Sequence, residues 1–176
     1  MMDSFRIESD TMGDMRVPVS ALYGPQTARA IENFPISGKR FPRSFIRALG
    51  LIKSVAANIN GRLGHLPAAL AAAIETASEQ VVEGHHDGEF AVDVFQTGSG
   101  TSTNMNANEV IGRLASAHPN DHVNRGQSSN DVFPTAMHIA VAESVVARLL
   151  PAMRQLGVSL ERKSAEFHSI IKGCAT

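Results

Sequence analysis

The stretch TGSGTSTNMNANEV, residues 97–110, concentrates side chains that could hold an anion. Its glycines permit a tight turn whose backbone N–H groups can approach a ligand, and a helix predicted just beyond adds the positive end of its dipole. The centre of the turn consists of Ser99, Gly100 and Thr101. Donors of this kind suit a carboxylate. Ser, Thr and Asn are also the preferred helix caps, so capping explains the spacing alone more simply.

A second polar cluster, GQSSNDVFPTAMH, places Ser128, Ser129 and Asn130 directly before another predicted helix. Taken alone, this cluster is also explained by capping. Two such clusters in one short chain could instead converge on a small ligand that carries carboxylates. Neither is a nucleotide-binding motif, because no Gly-Lys-Ser/Thr follows the glycines and no third glycine completes a dinucleotide fingerprint.

The histidines do not indicate a metal site. His118 and His122 are four residues apart, which on a helix would suit a metal ion. Pro119 and Asn120 lie between them and favour a loop, and the sequence offers no third ligand nearby. We therefore predict that these residues hold no metal.

The elements that must position these clusters are predicted to be almost entirely helical. Apolar residues recur at spacings of three and four, the period of a helix buried on one face, and glycines and prolines mark the ends. The predicted helices cover residues 25–34, 45–63, 67–84, 104–117 and 132–150, with a further helix after Pro151, a loop or short hairpin over 5–20 and at most a short strand over 90–95. The last helices carry an apolar seam that needs a partner.

Composition narrows the functional classes. The 176 residues are 43% hydrophobic and 19% charged with a net charge of −1, which is typical of a soluble globular protein. That charge provides no broad basic face for nucleic acid or for an anionic membrane. We find no apolar run as long as a membrane span and no secretion or transit signal. Because Cys174 is the single cysteine, we expect a reducing, cytoplasmic location.

The polar motifs resemble those of the fumarase/aspartase superfamily, and within it class II fumarate hydratase. TGSGTSTNMNANEV is similar to the first conserved region of that family, and HPNDHVN with QSSNDVFPTAMHIA is similar to the family's next segment. IESDTMGDMRVP and ALYGPQTARAIENFPIS near the N-terminus match as well. The resemblance covers essentially the whole chain, and it favours ligand binding over simple capping.

The resemblance implies a mainly α fold, with an N-terminal lyase domain over residues 1–130 and the first helices of the central helical bundle over 131–176. It implies reversible hydration of fumarate to L-malate, a step of the tricarboxylic acid cycle, without a metal or other cofactor. It also implies a homotetramer that assembles each active site from several subunits. The implied substrate-binding residues are Ser99, Gly100, Thr101, Ser128, Ser129, Asn130 and Thr176. The implied second dicarboxylate site consists of His118, Pro119, Asn120 and Asp121.

The chain also departs from the family pattern. The family usually has a longer loop before HPND, whereas here Ala117 leads straight into His118. The family's GRTH motif, which carries its catalytic histidine, corresponds to KGCAT, where Thr176 can fill the threonine position but glycine and arginine do not match. The GSSxMPxKxN loop, which supplies the catalytic serine and a lysine, does not occur in the 176 residues. We therefore expect these residues to contribute to substrate binding and to be inactive on their own.

Two alternatives remain open at this stage. An aspartate ammonia-lyase shares many of these elements, although HPND, SSND and DTMG are more similar to fumarase than to the NPND and STND of aspartases. Activity towards malate against aspartate would separate the two enzymes, since fold-level likeness does not fix the substrate. The other alternative is a non-catalytic helical module that binds dicarboxylates or partner helices.

Overall fold

A two-stranded hairpin begins the part of the chain that the computed structural model describes, which is residues 4–171 and 173. Strand β1 (Phe5–Asp10) pairs antiparallel with β2 (Gly13–Pro18). Gly13 follows the tight turn with a φ of 109°, a conformation that favours glycine. The segment over residues 5–20 is therefore a short hairpin rather than a loop.

Four α-helices follow the hairpin: α1 (Pro25–Asn33), α2 (Arg43–Arg62), α3 (Ala68–Glu83) and α4 (Thr101–Ala115). The first three confirm the predicted helices to within about two residues, the usual uncertainty of helix ends. Pro25 lies in the first turn of α1, where a missing N–H is tolerated. Gly84 ends α3 in the left-handed conformation, with a φ of 91°.

Small residues allow α2 and α3 to pack closely. A Cβ atom on Gly50 would lie 3.1 Å from the backbone oxygen of Ser78, and one on Gly61 would lie 2.8 Å from the Ala71 Cβ. Both distances are shorter than an ordinary contact, so glycine at these positions permits the approach. The apolar core around this helix pair includes the buried residues Phe45, Leu49, Ile74, Val81, Val110 and Ile111.

Helix α4 is enclosed on nearly all sides, since every residue from 103 to 112 is buried. Buried amides need hydrogen-bond partners. Asn106 Nδ2 donates to the backbone oxygen of Glu89 at 2.9 Å, and Asn108 Nδ2 contacts Met105 Sδ at 3.4 Å. The asparagines noted in the sequence therefore lie inside the fold.

Glu109 of α4 caps the start of α1. Its buried carboxylate accepts the backbone N–H groups of Gly24 (2.9 Å), Gln26 (2.9 Å) and Thr27 (3.0 Å). These are the N–H groups that a helix leaves without an internal partner at its first turn. Burial raises the pKa of the Glu109 carboxyl above its ordinary value, and the hydrogen bonds oppose that shift.

The segment over residues 90–95, predicted as at most a short strand, is an irregular turn around Asp93. The Asp93 carboxylate accepts the backbone N–H groups of Phe95 (2.8 Å), Ser37 (2.7 Å) and Gly38 (2.7 Å). These hydrogen bonds, led by that from Phe95, hold the pKa of Asp93 below its ordinary value. An aspartate that satisfies backbone donors in this way competes with strand pairing, so the segment forms no strand, within the prediction of at most a short one.

Helix α5 (Ser129–Ser144) leads through a π-helical turn (Val145–Leu149) into α6 (Leu150–Glu166). The break predicted at Pro151 is therefore wrong. Pro151 follows the wider π-helical turn and lies in the first turn of α6, where its missing N–H is tolerated.

The chain divides into two compact units, Met1–Ala140 and Val141–Thr176. The first unit holds the apolar core. In the second, the apolar side chains of the predicted seam are exposed, among them Met153, Leu156, Leu160 and Phe167. The domain boundary predicted between residues 130 and 131 stays a prediction.

One helix, Ser129–Glu166, is long and apolar enough to cross a membrane by length and composition alone. It has 38 residues and a mean hydropathy of 1.3 in its most apolar window. The expectation that no segment reaches such a length is therefore not met. A single helix of this kind is weak evidence for a membrane, because core helices of soluble proteins pass the same test.

Candidate functional site

The first polar cluster forms the turn that begins helix α4. Gly100 precedes the helix with a φ of 70°, and its N–H donates to the Thr97 oxygen at 2.9 Å. A Cβ atom on Gly100 would lie 2.3 Å from the Phe133 ring of α5. Glycine is thus required twice, by the left-handed backbone and by the ring against it. The contact also fixes the turn against the helix that carries the second cluster.

Gln96 holds the other side of this turn. Its Oε1 accepts the Thr103 backbone N–H at 2.7 Å, and its Nε2 donates to the Thr103 hydroxyl. The side chain therefore caps α4 from outside the helix, while Thr103 itself is buried. Gln96 was not predicted from the sequence, although its place directly before the glycine turn was a usable signal. Helix α4 begins at Thr101, three residues earlier than predicted.

The second polar cluster forms the start of helix α5. Ser128 Oγ accepts the Asn130 backbone N–H at 3.2 Å, and the helix begins at Ser129 rather than at residue 132. Asn104, in the first turn of α4, donates from Nδ2 to Ser129 Oγ at 2.9 Å. The structure therefore brings the two predicted clusters together, with the first turns of the two helices in contact.

The exposed side chains of this joint surface are hydroxyls and an amide. Ser99, Thr101, Ser128 and Asn130 are exposed, and Ser129 is half-buried. Ser99 Oγ and Thr101 Oγ1 lie 2.8 Å apart, close enough to share one ligand oxygen. We call the surface formed by these five residues the hydroxyl wall. It offers neutral donors beside two helix N-termini, the arrangement expected for a carboxylate site.

Lys53 of α2 lies beneath the hydroxyl wall and is fully buried. Its Nζ donates to Gln127 Oε1 at 2.8 Å and to Asn124 Oδ1 at 3.1 Å. Burial lowers the pKa of the ammonium to about 7. This residue was not predicted from the sequence as part of the site. The available signal was its place four residues after Leu49, on the buried face of the helix.

The HPND residues lie at the opposite end of α4, one helix length or roughly 20 Å from the glycine turn. They form a π-helical turn, Pro119–Val123. His118 Nδ1 accepts the Asp121 backbone N–H at 3.1 Å, and His122 Nδ1 accepts the His118 N–H at 3.0 Å. The structure therefore brings His118, Pro119, Asn120 and Asp121 together with one another but not with the hydroxyl wall.

Two backbone features make the short link before His118 possible. Ser116 ends α4 in the left-handed conformation with a φ of 52°. A Cβ atom on Gly112 would lie 2.8 Å from the Ala117 oxygen, so glycine lets the chain turn back closely over the helix. The chain then runs back along α4, because Asn104 near the helix start hydrogen-bonds Asn124 at 3.2 Å.

A cleft of about 810 Å³ opens beside the HPND turn. Its charged lining consists of Glu8, Asp10, Glu109, Arg113 and His118. Arg113 is already paired with Glu8, which also contacts Arg6. An Arg29 hydrogen bond holds the pKa of Asp10 below its ordinary value. The Arg113 guanidinium of this lining is thus already engaged by a carboxylate, which weakens its attraction for a dianion.

Thr176, the remaining implied substrate-binding residue, lies outside the described residues. Across residues 4–171 and 173, we find no group of three His, Cys, Asp or Glu side chains placed to hold a metal ion.

Comparison with known proteins assigns the class. Residues 13–176 match the family model described as a lyase, and the chain belongs to that lyase family. It is 54% identical over 176 residues to the class II fumarate hydratase of Xylella fastidiosa (strain Temecula1), covering 97% of this chain and 37% of that protein. It is 52% identical over 178 residues to that of Mycobacterium tuberculosis (strain H37Rv), covering 98% and 38%. The chain thus spans less than two-fifths of these curated relatives.

Solved structures show the same fold. The class II fumarase of Schistosoma mansoni matches with a TM-score of 0.93 and 41% identity, covering 98% of this chain and 39% of that one. A fumarate lyase:delta crystallin of Brucella melitensis matches with a TM-score of 0.94 and 40% identity, covering 98% and 43%. The mainly α fold predicted from the sequence is confirmed, as is the resemblance to class II fumarate hydratase.

Proposed function

We propose that this chain is part of a class II fumarate hydratase and supplies the hydroxyl wall of a pocket for fumarate and L-malate. The observation that carries the proposal is the Asn104–Ser129 hydrogen bond of 2.9 Å, since it joins the first turns of α4 and α5. The two polar clusters, each of which taken alone could be only a helix cap, therefore form one surface of hydrogen-bond donors. The class II fumarate hydratases among the relatives supply the choice of substrate.

The chemistry of hydration explains why such a wall is useful. When malate is dehydrated to fumarate, a weakly acidic C–H proton beside a carboxylate must be removed before the hydroxyl leaves, and negative charge accumulates on that carboxylate. Hydroxyl and backbone N–H donors that are already oriented stabilise this developing charge with little reorganisation. Helix N-termini add partial positive charge without a mobile side chain. The proposed role of Ser99, Thr101, Ser128, Ser129 and Asn130 is to hold one carboxylate in this way.

The second dicarboxylate site at His118, Pro119, Asn120 and Asp121 is proposed as the weaker of the two. His118 Nδ1 is occupied by the Asp121 N–H, which leaves Nε2 as the ring atom available to a ligand. The neighbouring Arg113 guanidinium is already paired with Glu8, so it attracts a dianion less than a free guanidinium would. We therefore expect dicarboxylates to prefer the hydroxyl wall.

The remaining parts of the proposal rest on family membership. We propose that the 176 residues alone do not turn over fumarate, because the family's catalytic histidine and serine motifs do not occur in them. We also propose that the complete enzyme is a homotetramer in the cytoplasm, and that residues 1–130 and 131–176 belong to its N-terminal domain and central bundle. No nucleic acid or membrane is part of the proposed function.

Two measurements test the proposal. Fumarate absorbance followed with the purified chain is expected to stay at background, and turnover above background would contradict the inactivity of these residues. Calorimetric titration with fumarate is expected to show binding that Ser129→Ala weakens about tenfold or more, the usual effect of losing a hydrogen bond to a charged ligand. Ser159→Ala, which removes a hydroxyl bonded to Gln155 in α6, is the matched control and should bind like the unaltered chain.

A further inference from the structure

A chain of hydrogen bonds connects the buried Lys53 to the hydroxyl wall. Lys53 Nζ donates to Gln127 Oε1 (2.8 Å) and Asn124 Oδ1 (3.1 Å). Asn104 Nδ2 donates both to the same Asn124 oxygen (3.2 Å) and to Ser129 Oγ (2.9 Å). These links come from three separate parts of the chain, α2, α4 and the segment before α5.

Two groups set the direction of the bonds in this network, the Lys53 ammonium and the Gln127 backbone oxygen. A protonated ammonium can only donate, so the groups that face it must be acceptors. The Asn124 amide therefore turns its oxygen towards Lys53, while its Nδ2 donates to the Gln127 backbone oxygen at 3.2 Å. Since Asn124 presents an oxygen, Asn104 must present its NH2 group. The Ser129 hydroxyl then accepts from Asn104 and directs its own proton elsewhere.

One buried atom of this network has no partner. Within the described part of the chain, the buried Oδ1 of Asn104 has no hydrogen-bond partner. Turning over the Asn104 and Asn124 amides would give that oxygen the Ser129 hydroxyl proton, but it would leave the Asn104 NH2 group without an acceptor and set the Asn124 oxygen against that of Gln127. It would also place an NH2 group against the Lys53 ammonium, where two donors would face each other. The network therefore keeps a buried carbonyl oxygen unsatisfied and leaves the Ser129 proton outside it.

We propose that Lys53 is a positioning residue for the hydroxyl wall: through Asn124 and Asn104 it makes the Ser129 hydroxyl a donor towards a bound carboxylate. The inference rests on the proposed function for the identity of the ligand, but the hydrogen-bond directions do not depend on it. Without the ammonium, only the Gln127 backbone oxygen still holds the Asn124 amide in this direction. When the two amides turn over, Ser129 presents lone pairs to the anion. A lysine at this position donates hydrogen bonds to the Asn124 and Gln127 oxygens, which an apolar residue of the same length cannot do.

A double-mutant cycle on the 176-residue chain tests this coupling. We expect Lys53→Met to weaken fumarate binding by about tenfold, comparable to losing the hydrogen bond itself. Ser129→Ala should weaken it similarly, and the double variant should bind no more weakly than Ser129→Ala alone. A purely structural role would give additive losses, so additivity, or unchanged binding in Lys53→Met, would overturn the proposal. If Lys53→Met does not fold, Asn124→Ala replaces it, with the same expected loss and the same absence of additivity.

A second readout needs no ligand. Side-chain amide signals of Asn104 and Asn124 in the ¹⁵N-labelled chain are expected to shift in Lys53→Met. The signals of Asn58, which lies further along α2 and bonds Glu75 of α3, should stay in place. Unmoved Asn104 and Asn124 signals would overturn the proposal. If the amides respond but fumarate binds neither chain, the proposed function fails while the positioning role of Lys53 stands.

Discussion

Lys53→Met should change how the stability of the chain depends on pH. Lys53 is fully buried in the folded chain, and this burial lowers the pKa of its ammonium to about 7 from an ordinary value of 10.5. Between these values the unfolded chain binds a proton that the folded chain does not, so the free energy of unfolding of the unaltered chain must rise with pH. Below pH 7 Lys53 is protonated in both the folded and the unfolded chain, and burying its charge then lowers the free energy of unfolding by the full amount. Above pH 10.5 Lys53 is neutral in both states, and this destabilisation vanishes.

The magnitude comes from the two pKa values. At about 1.4 kcal/mol per pH unit, the difference corresponds to roughly 5 kcal/mol between pH 7 and 10.5. A methionine at position 53 does not titrate, so it adds no such pH dependence to the free energy of unfolding. It also leaves the Gln127 Oε1 atom without the Lys53 donor, which costs about 1–3 kcal/mol at any pH, whereas the Asn124 oxygen still accepts from Asn104. The absolute change at pH 7 is therefore a balance of opposing effects, whereas the slope against pH isolates the buried charge.

Urea unfolding at half-unit steps from pH 7 to 10 measures this slope. As the pH rises, the free energy of unfolding of the unaltered chain should increase by several kcal/mol relative to that of Lys53→Met. Tyr23, whose pKa burial raises, titrates in both chains and cancels in the difference. Lys39→Met, which alters an exposed lysine, should run parallel to the unaltered chain. Parallel curves for Lys53→Met would refute the conclusion that its ammonium is dehydrated.

Three further substitutions test particular contacts by chemical unfolding. Gly100→Ala should destabilise the chain by about 2 kcal/mol or more, because its Cβ would meet the Phe133 ring and its backbone is left-handed. Gly98→Ala is the control, and it should be near neutral because the space around Gly98 is open. Glu109→Ala should cost about 2 kcal/mol by leaving the N–H groups at the start of α1 without their acceptor, and an unchanged midpoint would contradict that role. Gly157→Ala should raise the helix content of α6 and stabilise it by about 0.5–1 kcal/mol, since nothing lies within 4 Å of the added methyl; a loss of helix would show a missed contact.

Local signals account for the elements that the sequence predicts well. Apolar periodicity with Pro25 and Gly84 as end markers located α1 to α3, because these features act within a few residues. The starts of α4 and α5 were each placed three residues late. Several residues in both clusters are good caps, and propensity cannot choose between them. The left-handed backbone of Gly100 fixes the start of α4, and the Ser128 hydroxyl fixes that of α5 by accepting the Asn130 N–H.

The connections within the site depend on long-range contacts that local patterns do not encode. Lys53 meets Asn124 across 71 residues, and Asn104 meets Ser129 across 25. A lysine on an apolar face is ordinarily read as a solvent-exposed neighbour of the stripe, and only the fold shows it enclosed. The motif resemblance located the polar clusters, but the network beneath them came from the packing of α2 against the segment before α5.

Fumarate titration of the ¹⁵N-labelled chain, followed at each backbone amide, tests the central claim most directly. The hydroxyl wall predicts saturable shifts that are largest at Thr101, Ser129 and Asn130 and nearly absent in Ser129→Ala. It also predicts smaller shifts at His118 and Asn120 beside the acidic cleft. Shifts confined to the cleft, or no saturable shift at either helix start, would contradict the assignment of these two turns as one carboxylate-binding surface.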